Sequence, residues 1–288
     1  MKKLIQLLII ILIVIPHVTY TSASSPMRVH FIDVGQGDSM LIETPEDKTI
    51  LIDGGEPKEG KRLVKYLKKH GIKTIDLMIA THPDFDHIGG LIEVMKHFPV
   101  SKVLENGEIR PTNTYAKYRL QLFKDDIPIK IAKENEKISV EEEVELHVLH
   151  AAQKNAENPN ESAIVLKLTY HSIDFLLMSD VGAEQEKVIA DKYSIESEVL
   201  KVAHHGSSSS STLDFLKQAN PEVSIITYSV VNDYGHPVKR VINNLLKLES
   251  QIFSTAAYGN IIVETDGNDY IVVPDMQPVE RLIERLNK

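Results

Sequence analysis

A chain of 288 residues, 42% of them hydrophobic, is long enough to bury one large layered core, and no Gly/Ser/Pro-rich linker or solenoid repeat divides it. Its formal charge of -9 at pH 7 makes it a poor non-specific binder of nucleic acid, although a local cationic site made by metal ions is compatible with that total. The absence of cysteine excludes disulfides and a lipid-modified amino-terminal cysteine, so the core and any bound metal must hold the fold.

Lys2 and Lys3 precede an apolar stretch from Leu4 to Ile15, followed by Pro16 and a small polar segment containing Thr21-Ser22-Ala23. This order predicts a secretory signal peptide over residues 1–23, and hence a secreted or extracytoplasmic protein with no stable membrane association after cleavage. The apolar stretch is short against the ~20 residues of a spanning helix, which makes a retained anchor the lesser reading. Loss of Lys2 and Lys3 would take the charge from -9 to -11.

Strands are expected at 28–33, 39–44 and 48–53, joined by Gly- and Pro-containing turns, then a helix at 60–70 with Leu63, Val64 and Leu67 on one face. The run 76–80 reads as a buried strand and 89–97 as a helix. Between them, His82, Asp84, Asp86 and His87 pack two imidazoles and two carboxylates into six residues of a strand-to-helix loop. A solvated acidic loop is the plain alternative, but the strand before and Gly89-Gly90 after favour a metal site. A strand at 100–104 and a helix at 113–124 follow. Further strands are expected near 144–149, 162–170 and 173–178. The remainder alternates: helix 183–192, strand 197–203, helix 212–219, strand 222–227, helix 238–247, short strands to Val273, and a solvated helical tail over 275–288. Such a pattern suggests two packed sheets with helices outside.

Other residues carry weaker signals. Asp53, before Gly54-Gly55, is either a turn aspartate or a buttress of the ligand loop. Asp33 and Asp38 flank Gly35 and Gly37, which suit a hairpin or a tight turn that brings backbone N–H groups to the cleft. His205 is a substrate contact or a packed neighbour of His204. His236 precedes a helix, where it could donate a hydrogen bond to an anionic oxygen or protonate a leaving group; a loop histidine is the alternative. Ser207 to Ser211 read as a turn ending in a helix cap, with Ser207 also able to meet a phosphate. His97, His147, His150 and His171 fit no ligand pattern, and His30 reads as structural or exposed.

Six ordered motifs, FIDVGQGDS (31–39), LIDGG (51–55), THPDFDHIGG (81–90), NESAIVLKL (160–168), FLLMSDV (175–181) and LKVAHHGS (200–207), followed by NDYGHP (232–237), carry a resemblance over residues 27–274. The chain resembles metallo-β-lactamase-fold hydrolases, in particular the extracytoplasmic hydrolase domain of ComEC-type competence proteins. The resemblance implies a single α/β domain, a four-layer αββα sandwich with a dinuclear metal cleft at one edge of the sheets. It implies that His82 and Asp84 serve one metal, that Asp86, His87 and His204 serve the other, and that Asp180 bridges them. Two such ions about 3.5 to 4 Å apart activate water and clamp both oxygens of a displacement. Asp86, Asp180 and His236 are then the catalytic candidates, His205, Ser207 and Asn160 the substrate contacts, and Asp33, Asp38 and Asp53 the supports behind the ligands. Asp84 stands where many family members have histidine, and Asn160 lies where a Gly-His-Thr histidine would. That oxygen-rich set moves the expected metal from zinc towards manganese, leaving zinc or manganese as the expectation. The resemblance favours a phosphodiester substrate, either a small diester, a cell-wall polymer or extracellular DNA. Hydrolysis of a carboxylic ester, lactone or β-lactam, and a non-catalytic binding protein on the same fold, are the alternatives.

Overall fold

The computed structural model describes residues 25–151 and 158–280; the expected signal peptide, and the part of the expected helical tail that follows Glu280, lie outside these residues. The first sheet has eight strands: β1 Met27–Phe31, β2 Met40–Glu43, β3 Thr49–Ile52, β4 Leu77–Ala80, β5 Val103–Glu105, β6 Ile129–Ile131, β14 Ile261–Thr265 and β15 Tyr270–Pro274. Their order is β15-β14-β1-β2-β3-β4-β5-β6. The second sheet runs β13-β12-β11-β10-β9-β8-β7. Its strands are β7 Lys137–Glu141, β8 Val144–His150, β9 Val165–Tyr170, β10 Ile173–Leu177, β11 Val199–Lys201, β12 Val223–Ile226 and β13 Gln251–Ser254.

Each sheet is antiparallel on one side and parallel on the other. Pairing is parallel from β3 through β6 and from β10 through β13. Parallel pairs need crossovers, and the helices supply them. Helices α1 Gly60–Lys69, α2 Phe85–Ile88, α3 Leu91–Met95 and α4 Asn113–Lys124 cover the first sheet, while α5 Ala183–Lys192, α6 Leu213–Ala219 and α7 Lys239–Lys247 cover the second. A short α8, Thr255–Tyr258, links β13 to β14.

Side chains alternate across each strand and sort the core into three slabs. Val29, Phe31, Met40, Ile42, Ile50, Ile52 and Ile79 point between the sheets and meet Leu166, Leu168, Phe175 and Leu177. Leu41, Leu51 and Met78, from the same strands, point outward against Leu63, Leu67 and Leu91 of the helices. Leu176, Leu200 and Ile226 do the same beneath Phe215, Leu216, Val241 and Leu245. The central strands are therefore apolar on both faces, which is why they read as continuous runs. The layers are αββα, as expected.

Two details differ from the sequence expectation. The single helix at 89–97 is two short helices, starting within the ligand loop at Phe85 and parted by Gly89-Gly90. A Cβ at Gly90 would lie 2.0 Å from the Gly54 carbonyl oxygen, so the loop after β3 packs directly on this break. Strands β6 and β7 were not expected. All three residues of β6 (IKI) are exposed, so neither alternation nor burial marks it.

Candidate metal centre

The motifs meet at the carboxyl ends of parallel strands, where open α/β sheets place their sites. His82 follows β4, Asp180 follows β10, and His204 and His205 follow β11. Several of these turns use left-handed backbone: Asp53, Ser179, His204 and His205 have φ of 56°, 47°, 47° and 55°. Such conformations cost about 1–3 kcal/mol each in non-glycine residues and gather where a site demands them.

Three imidazoles are oriented by the same device. His87 donates from Nδ1 to Asp53 Oδ2 at 2.8 Å. Asp53 is itself fixed by Thr81, accepting from its N at 2.9 Å and its Oγ1 at 2.7 Å. With its hydroxyl proton committed to Asp53, Thr81 accepts from Ser179 at 2.8 Å and from His82 Nδ1 at 3.1 Å. His205 donates from Nδ1 to the Thr227 carbonyl at 2.8 Å. Each Nδ1 is committed to a protein partner, so each Nε2 faces the cleft and presents a lone pair once a metal displaces any proton it carries.

Those lone pairs converge. Asp180 Oδ2 lies 3.3 Å from His87 Nε2, 3.4 Å from His205 Nε2 and 3.8 Å from His204 Nε2. Nε2 of His82, His87 and His205 and Oδ1 of Asp180 are buried without a hydrogen-bond partner. A buried polar atom left unsatisfied costs about 1–3 kcal/mol, and cations placed among these atoms would satisfy all of them. His82, His87 and Asp180 form one group whose ligand-type atoms lie within 4.8 Å of one another, and Asp86, His87 and His205 form another. The donors fit divalent cations.

The electrostatics agree. Burial works to raise Asp180, but the adjacent His205 and His87 hold its carboxyl well below the usual carboxylate range. Burial works to lower His87, yet Asp180 and Asp53 hold it well above the ordinary imidazole value. His82, buried beside His87, is pushed well below. Protons thus crowd where metal-free carboxylate and imidazole meet, and metal binding would displace them.

The sequence candidates are distributed around this centre. His205, expected as a substrate contact, turns its free Nε2 inward, 4.0 Å from Asp86 Oδ2. His204, expected as the ligand, instead has Nε2 3.3 Å from Asn160 Nδ2 and Nδ1 3.1 Å from Ser209 Oγ, at the cleft mouth. Both imidazoles face Asp180 Oδ2, His205 at 3.4 Å from a fully buried position and His204 at 3.8 Å from a partly exposed one. Asp84 lies 3.8 Å from His82 Nε2 and is partly exposed. Asn160 Oδ1 is buried and unpartnered beside His204. Ser207 is buried and accepts from Ser209 N at 3.2 Å, so its hydroxyl serves its own turn rather than the cleft. Asp33 accepts from Gly35 N at 3.1 Å and pairs at 2.9 Å with Arg62 of α1.

Asp38 stands behind His205, with Oδ1 at 3.5 Å from its Nδ1 and accepting from the Thr227 hydroxyl. It also pairs at 2.8 Å with the fully buried Lys201. The sequence reading missed Lys201 because it sits inside an apolar strand, where lysine normally signals an exposed face. It missed Arg110 as well. Arg110 lies near enough to Asp84 to favour its ionised form, although burial dominates and raises that carboxyl, and its Nη2 is buried without a partner. His236 has its ring 5.5 Å from that of His204 and its Nδ1 buried and unpartnered. Burial and the neighbouring His204 and His205 push it down to about 4. At neutral pH it is uncharged, which leaves it able to donate one hydrogen bond but makes it a poor proton donor to a leaving group.

The fold and this cluster define a metallo-hydrolase, and the chain belongs to the metallo-beta-lactamase superfamily, whose sequence profile it matches over residues 32–229. Among curated proteins it is similar to ComE operon protein 3 of Bacillus subtilis (strain 168), 30% identical over 261 residues, which are 84% of this chain and 33% of that protein. It is also similar to Recombination protein 2 of Haemophilus influenzae, 26% identical over 263 residues, 88% of this chain and 31% of that protein. The chain thus spans about a third of the length of these relatives. Among solved structures, CmlA, a diiron beta-hydroxylase from Streptomyces venezuelae, shares the fold with a TM-score of 0.51 at 10% identity, over 79% of this chain and 52% of that one.

Proposed function

We propose that this chain is a metal-dependent phosphodiesterase with two divalent cations, zinc or manganese, in the cleft between the sheets. The observation that carries the reading is the convergence of the unpartnered Nε2 atoms of His82, His87 and His205 on Asp180. In this reading His82, Asp84 and Asp180 hold one ion, and Asp86, His87, His205 and Asp180 the other. Such a pair, when bound, lowers the pKa of water and stabilises charge on the oxygens of an in-line displacement.

The chain's own residues contribute the rest. Asp53 and Thr81 fix His87, Asp38 and Thr227 fix His205, and these supports keep the imidazole lone pairs aimed at the cleft. Arg110, with its unpartnered Nη2, is positioned for an anionic oxygen of the substrate. Neutral His236 would donate a hydrogen bond to another. Tyr234 stacks on His236 and is 60% exposed, giving the rim an aromatic surface for the group beyond the phosphate.

The substrate in this reading is a small phosphodiester or an exposed cell-wall polymer, because the chain is acidic overall and Glu56 and Asp233 lie near the rim at Tyr234. Burial, and after it the charges of Asp86, Glu56, Asp233 and Asp84, raise the Tyr234 hydroxyl. Extracellular DNA is a second reading, favoured by a relative whose name refers to recombination. Residues 1–23 support an extracytoplasmic location.

Metal-stripped protein should regain hydrolysis of bis(p-nitrophenyl) phosphate on addition of zinc or manganese, and Asp180→Asn should lose both that activity and metal content while keeping its circular-dichroism spectrum. Unchanged turnover in Asp180→Asn would overturn the dinuclear phosphodiesterase. Nitrocefin should not be hydrolysed.

A further inference from the structure

A second group of metal-type donors lies in a different layer of the molecule. His30, the last residue but one of β1, points away from the inter-sheet core and under α1, and it is fully buried. Glu43, on the next strand, faces the same way: Arg28 is its direct partner in the register, which makes His30 its diagonal neighbour. Tyr66 and His70, four residues apart on and just past α1, close over the pair.

The contacts are short. His30 Nε2 lies 2.8 Å from Glu43 Oε1, and His30 Nδ1 lies 2.8 Å from the Tyr66 hydroxyl. The His70 ring stands 4.9 Å from that of His30, nearly perpendicular at 89°, and 4.3 Å from that of Tyr66. Ligand-type atoms of His30, Glu43 and His70 all lie within 4.8 Å of one another. His30 Nε2 is buried and makes no well-formed hydrogen bond despite its approach to the carboxylate.

The arrangement repeats the logic of the cleft. Tyr66 can accept from Nδ1–H or donate to Nδ1; in the first arrangement Nε2 is free as a ligand 2.8 Å from the Glu43 carboxylate, and in the second a bound cation replaces the proton that Nε2 presents to Glu43. A tyrosine oxygen bonded to the far nitrogen of a ligand histidine is the kind of support that fixes its tautomer and direction. Two imidazoles and one carboxylate, with a side open to solvent at His70 and Glu43, form a set suited to a zinc-class ion carrying water in its fourth position.

We propose that His30, Glu43 and His70 form a separate site for one zinc-class divalent cation, clamping the end of α1 to the first sheet. It shares no residue with the cleft. The proposal is independent of the substrate reading and is read by metal counting rather than by turnover.

The test is zinc titration of the chelator-stripped full chain by calorimetry, with metal content after desalting as a second measure. Asp180→Asn should retain the binding event assigned here. Glu43→Gln and His70→Ala, both at partly exposed positions, should each lose one equivalent relative to wild type while hydrolysing bis(p-nitrophenyl) phosphate as wild type does. Cobalt substitution should give visible absorption bands in Asp180→Asn that disappear in Asp180→Asn/His70→Ala. Equal zinc stoichiometry in wild type and His70→Ala, with unchanged cobalt spectra, would overturn the site. Because the count does not depend on turnover, failure of the phosphodiesterase reading would leave this result interpretable.

Discussion

At the scale of single residues, adjacent side chains diverge because their backbone is not helical or extended. His204 and His205 both adopt left-handed φ values, 47° and 55°, in the turn after β11. One ring therefore rises to the cleft mouth while the next is pulled inward by the Thr227 carbonyl. No periodicity tells a reader which of two neighbouring histidines in such a turn will face a metal, which is why the sequence pattern leaves the choice between them open. The pair can be separated experimentally. His205→Ala should cost more metal affinity than the ~10–100-fold lost with a supporting partner such as Asp38. His204→Ala should keep its metal content and lose turnover through altered substrate contact. Metal content and kcat/KM measured on both variants decide the assignment; loss of metal from His204→Ala with retention in His205→Ala would reverse it.

At the scale of elements, strands and helices with strong patterning were legible and the site-bearing connections were not. The expected helices at 60–70 and 238–247 are α1 and α7, because Leu63, Val64 and Leu67 of the first and Val241 and Leu245 of the second fall on the face that is buried. The ligand loop misled because α2 begins inside it. Asp84 has extended backbone (φ -72°, ψ 148°) and starts a four-residue helix that carries Asp86 and His87. That helix exists because the break after it fits the β3 loop: Gly54 N donates to the His87 carbonyl at 2.7 Å, and Gly90 leaves no room for a Cβ. Gly90→Ala should therefore destabilise the protein by about 1–3 kcal/mol through overpacking and also weaken metal retention, since the displaced loop carries His87. Gly71→Ala is the control. Its φ of +77° makes alanine strained, but nothing lies within 4 Å of the added Cβ, so stability should fall by about 1–2 kcal/mol with metal affinity unchanged. Urea melts and metal titration of both variants separate these outcomes; full metal retention in Gly90→Ala would show that the break does not set the ligand loop.

At the scale of the whole molecule, the centre lies on the seam between the halves. The first sheet brings His82, Asp84, Asp86 and His87, the second brings Asp180 and His205, and Asp38 and Thr227 bond across the join. The motif order carried this arrangement in the sequence, since six motifs from separate strands have a common purpose only if their ends meet. Charge distribution was legible as a total and not as a pattern, because the buried pairing of Lys201 with Asp38 and the unpartnered end of Arg110 depend on tertiary contacts. The total of -9, with carboxylates around the cleft, determines how a substrate is met. A polymer bound through 6–10 phosphates would lose about 10³–10⁵ in affinity between 50 and 200 mM salt, whereas a single diester held at the metals releases few counterions. For a low-molecular-weight diester, KM measured across that salt series should therefore change only slightly. Single-stranded DNA, repelled by the acidic surface, should be cleaved less efficiently at every salt concentration. Efficient DNA cleavage whose KM climbs steeply with salt would instead require a cationic track beyond Arg110, and would put polymeric DNA ahead of the small diester as the substrate.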